Sequence, residues 1–173
     1  MRINDVDVDP DELTPSAIQL LLNAGFTQTD IARMFGVSRQ AVNKQAVKYG
    51  LHRQTRQELL AEVWPFPPIR RELGNTDLFA RLRDHAAYQL TGKLSDEKLG
   101  RLRSFLTKLL ENDFVVEYDP DIPPQPGVAS RGGFTYRKRR KSDKGLIIRP
   151  NDYTDKDVLA KHKKIWTFPD DMP

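Results

Sequence analysis

The chain has 173 residues and no cysteine, which excludes disulfides, thiolate metal sites and a cysteine nucleophile. No apolar run approaches the roughly 20 residues that span a bilayer, and the acidic N-terminus lacks a secretory pattern. The 28 basic and 24 acidic residues give a net charge of +4, but five of the acids fall within the first twelve residues. The rest of the chain carries a net charge of +8, which favours a polyanionic partner. These features predict a cytoplasmic protein without a membrane partner.

Local start and stop signals predict a mainly α-helical fold. Thr14 followed by Pro15 is typical of an N-cap and a first helical position, and Gly25 and Gly50 are typical of helix ends. Thr55, with a glutamate three residues later, indicates a capping box. Leucines that repeat every three or four residues predict two amphipathic helices in the second half. The expected helices cover residues 15–24, 27–35, 38–49, 56–63, 76–91 and 96–112, with a last helix opened by Thr154 and Asp157.

Composition shifts predict two domains joined by a hinge. Residues 1–13 are acidic and are expected to form a flexible arm. Three prolines in four positions within Trp64-Pro-Phe-Pro-Pro68 predict a stiff extended hinge over residues 64–74. The hinge would separate an N-terminal domain with a linker helix (14–63) from a basic C-terminal domain (75–173).

The C-terminal domain is expected to contain a little β-structure. Residues 115–118 are a strand candidate, and residues 134–139 and 146–149 predict a β-hairpin joined by the turn-like residues 142–145. Three helices and a hairpin are consistent with a winged-helix-like domain, without establishing one.

Residues 28–42 match a helix-turn-helix in detail. Ala32 is small where the second helix would pass close over it, and Gly36 permits the positive φ angle that the tight turn requires. Ser38 is expected to cap the third helix. The apolar side chains expected to lock the helices together are Ile31, Phe35, Val37 and Val42.

The exposed face of the third helix would enter the major groove of double-stranded DNA. Arginine suits guanine, whereas glutamine and asparagine suit adenine. The alternative is an ordinary solvated helix face. The predicted base contacts are Ser38, Arg39, Gln40, Asn43 and Lys44. The predicted contacts of this domain to the DNA backbone are Thr27, Gln28, Lys48 and Arg53.

A second basic surface is expected between Arg131 and Arg149, where eight bases accompany one acid. The five consecutive bases of residues 137–141 would repel one another without a polyanion, and a basic hairpin would resemble a wing that lies along phosphates. A solvated loop, or a tract that orders only on binding, is the alternative. The predicted backbone contacts here are Arg131, Tyr136, Arg137, Lys138, Arg139, Arg140 and Lys141.

Nothing in the sequence favours catalysis. His52, His85 and His162 are far apart and have no metal-ligand spacing, and the last two are expected to be packing residues. No glycine-rich phosphate loop, nucleophile elbow or two-metal carboxylate cluster is recognised. We therefore expect no enzyme activity, no cofactor, no metal and no small-molecule ligand.

The layout resembles the immunity repressors of cluster A temperate mycobacteriophages. The resemblance rests on the acidic arm, the helix-turn-helix at residues 26–42, the proline segment Trp64–Pro68 and the basic run Arg137–Lys141, and it would cover nearly all of the chain. It implies a repressor in the bacterial host cytoplasm, associated with the nucleoid, that maintains lysogeny and superinfection immunity. Such repressors bind asymmetric operator and stoperator sites, and a monomer is thought to suffice.

Two other classes of function remain open at this point. A phage DNA-packaging or recombination accessory protein, such as a terminase small subunit, would also carry a helix-turn-helix but would form a ring or another oligomer. A nuclease or recombinase would use the same motif for targeting and would cleave DNA with Mg²⁺, which we do not expect. The helix at 96–112 could also form a dimer interface.

Overall fold

The computed structural model describes residues 2–3, 6–7, 12–69, 73 and 76–173. Within them the protein is mainly helical, with seven α-helices and two antiparallel two-stranded sheets. The chain divides into two compact units, residues 1–57 and 58–173. The predominance of helix with a small β-sheet agrees with the sequence prediction.

Part of the predicted acidic arm is a short strand pairing. Strands β1 (Arg2–Ile3) and β2 (Val6–Asp7) pair antiparallel, with Ile3 opposite Val6. The prediction of a loose arm did not include this pairing. The other arm residues before Glu12 lie outside the described part of the chain.

The first unit contains three helices, each begun by a side-chain cap. They are α1 (Pro15–Asn23), α2 (Gln28–Met34) and α3 (Arg39–Tyr49). The hydroxyl oxygens of Thr14, Thr27 and Ser38 accept hydrogen bonds from the amides of Ala17, Asp30 and Ala41 at 3.1, 3.2 and 3.1 Å. Each cap satisfies an amide that has no partner inside its helix. The predicted helix positions are therefore confirmed to within a residue or two.

A small apolar core holds the three helices together. Ile18, Ile31 and Val42, one from each helix, are fully buried. Gly36 has φ +62° in the turn between α2 and α3, as the tight turn was expected to require. The prediction was wrong for Val37, which is 37% exposed. Its amide closes the turn by donating to the carbonyl of Ala32 at 3.0 Å, which leaves its side chain on the outer side.

The second unit is an α+β core of four helices and a small sheet. The helices are α4 (Arg56–Val63), whose first two residues fall in the first unit, α5 (Asp77–Thr91), α6 (Asp96–Glu111) and α7 (Lys156–Lys161). 3₁₀ turns lie at 141–143 and 163–166. Asp155, and not Thr154 as predicted, caps α7 by accepting from the amides of Asp157 and Val158. Thr154 is buried instead, where its hydroxyl donates to the Asn151 side chain.

The predicted hairpin is wrong in its pairing. Strand β4 (Phe134–Lys138) pairs antiparallel with β3 (Phe114–Tyr118). Residues 146–149 lie on the other side of β3, where Ile148 forms a parallel bridge to Val116. The reason is that Leu146, Ile147 and Ile148 form an unbroken apolar run, which must be buried on both faces. In the arm of an exposed hairpin, apolar and polar residues would alternate instead.

The predicted hinge belongs largely to the core of the second unit. Val63 and Phe66 are buried, and the Trp64 ring packs edge-to-face on Phe66, Phe79 and Trp166 with centroids 5.3 to 5.6 Å apart. The prolines fix an extended path, and the aromatic side chains between them fill the core. The division between the units accordingly lies between residues 57 and 58, ahead of the predicted hinge. Hinge residues 70–72 and 74 are not among the residues that the structure describes.

His85 is a packing residue of this core, as expected. Its Nε2 donates to the carbonyl of Ile165 at 2.8 Å, and its Nδ1 has no hydrogen-bond partner among the described residues. Burial lowers the pKa of His85 from 6.5 to about 4, although the hydrogen bond to the backbone of Ile165 opposes the shift. The imidazole is therefore neutral in the folded protein at neutral pH.

Acidification is expected to destabilise the second unit. Unfolded His85 binds a proton near pH 6.5, whereas the folded residue does so only near pH 4, so stability falls as the pH falls between these values. The loss approaches about 1.4 kcal/mol per pH unit. Denaturant unfolding at pH 7, 6 and 5 measures it, since both tryptophans, Trp64 and Trp166, report on this unit.

Two variants distinguish the contribution of His85 to the pH dependence of stability from that of other titrating groups. His85→Gln keeps a side-chain N–H for the Ile165 carbonyl but does not titrate, so the pH dependence should flatten. His162→Gln replaces a half-buried histidine of the same unit and should retain the dependence of the wild type. Identical pH dependence in His85→Gln and the wild type would contradict the assignment.

Candidate nucleic-acid interface

The exposed face of α3 carries all five predicted base-contacting residues. Val42 and Ala46 are buried on the opposite face of the helix and anchor it to the core. Arginine, glutamine, asparagine and lysine side chains therefore project outward one helical turn apart and line an open concavity of about 260 Å³. The residues that line it are Arg39, Gln40, Asn43 and Lys44.

These four side chains are not engaged within the protein. In the described part of the chain, none of them takes part in an ion pair or a side-chain hydrogen bond. Ser38 differs, because its hydroxyl oxygen already caps α3 at the Ala41 amide. The cap agrees with the sequence prediction, and the hydroxyl proton and one lone pair remain for a partner.

The residues of the first unit that were predicted to contact the DNA backbone differ in whether their side chains already have hydrogen-bond partners in the protein. Thr27 is committed to a capping box: its hydroxyl donates to Asp30 at 2.6 Å and accepts from the Asp30 amide. These hydrogen bonds, first from the Thr27 side chain and then from its amide, hold the pKa of Asp30 below its usual value. An ionised carboxylate thus occupies the start of α2, the position at which a phosphate contact was predicted.

The other predicted backbone contacts of this unit lie at its surface. Lys48 and Arg53 are exposed, and Gln28 is half-buried. The Lys48 ammonium stands 4.9 Å from the centre of the Tyr49 ring, a cation–π distance that leaves it open to solvent. These three residues keep groups that can donate hydrogen bonds outward.

Three of the five consecutive bases in the second unit have partners on the protein. Arg137 pairs with Glu117 at 2.6 Å, and Lys138 donates to the Asn112 carbonyl at 2.8 Å. Arg139 donates to the backbone carbonyls of residues 146 and 114 at 2.8 and 3.1 Å. Carboxylates lie beside Arg137 and Arg139, whereas Lys138 has only a backbone carbonyl. These three bases therefore have partners within the chain in the absence of a polyanion.

Tyr136 is directed into a cleft and not along the basic surface. Its ring stacks on Phe114 with centroids 5.6 Å apart, and the Lys108 ammonium lies 4.3 Å from its centre. Burial, followed by the charge of Asp77, raises the pKa of Tyr136 to about 12, although Arg81 opposes the shift. The phenol is therefore neutral and lines a cavity of about 550 Å³ bordered by α5 and α6.

Other exposed cations remain on the second unit. Arg131, Arg140 and Lys141 are exposed, and so is Lys144, which the sequence analysis did not select. Lys144 lies three residues beyond the basic run, and its left-handed φ of +44° is set by the fold of the turn. A charge count along the sequence does not separate Arg140, Lys141 and Lys144, which are exposed, from the engaged bases of residues 137–139.

The described residues contain neither a candidate metal site nor a candidate membrane-spanning helix. No three histidines, aspartates or glutamates among them stand close enough to hold a metal ion. None of the helices there has both the length and the apolar character needed to cross a membrane.

Comparison with known proteins gives the class of the protein. No family model matches the chain. A protein of Mycobacterium phage L5, described as a repressor-like immunity protein, is 39% identical over 163 residues, which cover 92% of this chain and 86% of the relative. A two-unit helical chain with this similarity is a phage regulatory protein. It belongs to the mycobacteriophage immunity repressor family, and the resemblance seen in the sequence is thus confirmed.

Proposed function

We propose that the protein is a sequence-specific DNA-binding transcriptional repressor that maintains phage immunity and lysogeny. The observation that carries the proposal is the row of unengaged side chains along α3, which is fixed in place by the buried Val42 and Ala46. A rigid helix with free arginine, glutamine, asparagine and lysine side chains matches what the major groove presents. The name of the phage L5 relative supports the repressor role.

The proposed contacts of the first unit follow from the chemistry of these groups. Arg39 would donate two hydrogen bonds to guanine, and Gln40 and Asn43 would each pair with adenine. Lys44 would contact a base edge, and Ser38 would contribute its hydroxyl group, of which one lone pair already caps α3. Gln28, Lys48 and Arg53 would contact the backbone, since phosphate contacts set position whereas base contacts set sequence. The Thr27 side chain is omitted because Asp30 already occupies it.

The second unit would contribute sequence-independent contacts from the same chain. Two different DNA-binding surfaces on one polypeptide suit an asymmetric site, whereas a dimer repeats one surface over a two-fold site. We therefore propose that a monomer binds asymmetric operator and stoperator sites, and that it acts sterically by occupying promoter DNA or blocking an elongating polymerase. Such a protein would work in the cytoplasm of the bacterial host, at the nucleoid.

Removing two base contacts should relax sequence preference. Arg39→Ala and Asn43→Ala should each lower discrimination between the selected site and random duplex by about 1–3 kcal/mol, the size of a good bidentate base contact. Sites are first enriched from random duplexes with the full chain, and each variant is then titrated against both DNAs.

A matched arginine on α2 provides the control. Arg33 is 78% exposed, so Arg33→Ala removes the same charge without touching the proposed reading face. It should leave the discrimination ratio unchanged. The assignment of α3 as the reading helix fails if Arg39→Ala and Arg33→Ala change that ratio equally.

The mass of the complex tests the monomer proposal. Light scattering on the enriched duplex is expected to give one chain on a site without two-fold symmetry. Two chains on an inverted repeat would preserve the role of α3 but make the second unit a dimerisation domain. A stable ring without DNA would instead favour a packaging protein.

A further inference from the structure

A buried ion pair fixes the loop that follows β4. The loop, residues 139–145, is called the basic loop here. Arg149 donates from Nε and Nη2 to the two carboxylate oxygens of Asp143 at 3.2 and 2.8 Å. Their side chains are only 9% and 2% exposed. Nη2 also donates to the Lys138 carbonyl at 2.6 Å, so one guanidinium ties the end of β4 to both the loop and the segment after it.

Asp143 also closes the loop from within. Its carboxylate accepts from the Arg140 amide at 2.7 Å, and its own amide donates to the Arg140 carbonyl at 3.0 Å. Burial alone would raise the pKa of Asp143, but the hydrogen bonds from Arg149 and from the Arg140 amide, together with nearby positive charge, hold it below its usual value. The carboxylate is therefore ionised at neutral pH and forms a fixed centre for the loop.

A second arginine clamps the start of the basic loop. Arg139 donates to the carbonyls of Leu146 and Phe114 at 2.8 and 3.1 Å. The amide of Leu146 in turn donates to the Asp143 carbonyl at 2.9 Å, which closes the turn through Lys144. Arg139 and Arg149 thus use their guanidinium groups inside the protein, although the sequence groups them with the other bases.

The remaining cations of the basic loop face solvent. Arg140, Lys141 and Lys144 are exposed, and none of them has an ion pair in the part of the chain that the structure describes. Three like charges on a loop of this length repel one another, so the loop would open unless something held it. The buried pair and the Arg139 clamp supply that restraint before any partner arrives.

We propose that the basic loop is a preformed phosphate-binding turn, in which Arg140, Lys141 and Lys144 contact the DNA backbone and the Asp143–Arg149 pair positions them. The ligand class follows from charge: three exposed cations without ion-pair partners among the described residues, on a loop backbone that the buried pair holds, complement a row of phosphodiesters. Fixing the loop beforehand removes the ordering penalty that a flexible basic tract would incur on binding. The inference rests on the proposed DNA-binding function and assigns the phosphate contacts of the second unit.

Asp143→Asn tests the positioning role by the sign of its effect. The change removes one negative charge, so simple electrostatics predicts tighter binding. A positioning role predicts the reverse, a loss of at least about fivefold in affinity for selected and random duplex alike, because the loop backbone that carries the three side chains must then be ordered on binding. Arg149→Lys keeps the charge but loses the two-pronged contact, and should weaken binding in the same way.

Asp152→Asn is the matched control, because Asp152 is an exposed acid of the same unit. It should leave affinity unchanged or raise it slightly. Hydrogen exchange on the DNA-free full chain gives a second measurement. Asp143→Asn should speed exchange in residues 139–145 while the amides of β3 stay protected. Tighter binding by Asp143→Asn, or unchanged exchange in the loop, overturns the positioning role.

The phosphate contacts themselves are tested with the buried pair left intact. The combined variant Arg140→Gln, Lys141→Gln and Lys144→Gln should flatten the slope of log affinity against log salt by about 2 to 3, close to 0.9 per lost contact. Lys156→Gln, Lys163→Gln and Lys164→Gln remove the same charge from exposed positions of the second unit and should change the slope much less. Equal changes in the two triple variants overturn the assignment.

The outcomes separate this inference from the proposed function. A wild-type chain that selects no sequence from random duplexes would refute the function itself. A chain that selects a site, and whose triple loop variant keeps the full salt slope, would refute only the basic loop as a phosphate-binding turn. Selection of a site together with the flattened slope supports both.

Discussion

The burial of Trp166 is the constraint on which the second unit depends. Its indole N–H donates to the carbonyl of Val63 at 2.9 Å, and its own carbonyl accepts from the amide of Ile147 at 2.8 Å. Its ring also packs on Trp64 and near His85. One residue near the C-terminus thus joins the end of α4, the buried apolar run and α5. Since a buried polar group left without a partner destabilises the fold, the indole also fixes where the chain must pass after α4.

Local chemistry made the first unit predictable, since its helix starts are decided within four residues. Thr14, Thr27 and Ser38 each cap the helix that follows, and Gly36 takes the positive φ angle that its position requires. Val37 was misplaced because its pattern is that of a core residue, whereas the direction of the turn depends on backbone geometry. The second unit was harder, because Phe134–Lys138 had two apolar segments to pair with and the choice depended on burial far along the chain.

The candidate site was predictable only in part, for a similar reason. The face of α3 follows from helical periodicity once Val42 is known to be buried, so its exposed residues could be named from the sequence. The basic run allowed no such inference. Its residues 137–139 find partners at Glu117, Asn112 and Phe114, which are distant in sequence and come close through the β3–β4 pairing. Arg139 also contacts Leu146, which the turn after β4 brings back. Composition counts charges, whereas the fold decides which of them remain available.

Internal neutralisation of cations has a consequence at the scale of a genome. A regulator that searches for one site meets roughly a million to a billion competing positions, each of which attracts it through charge alone. Arg137 is neutralised by Glu117, Arg149 by Asp143, and the start of α2 by Asp30. Under the proposed function, each of these carboxylates would weaken a phosphate attraction that acts on every sequence equally. If the chain binds DNA as proposed, it would leave wrong positions sooner, and its search would be faster than its basic residue count alone indicates.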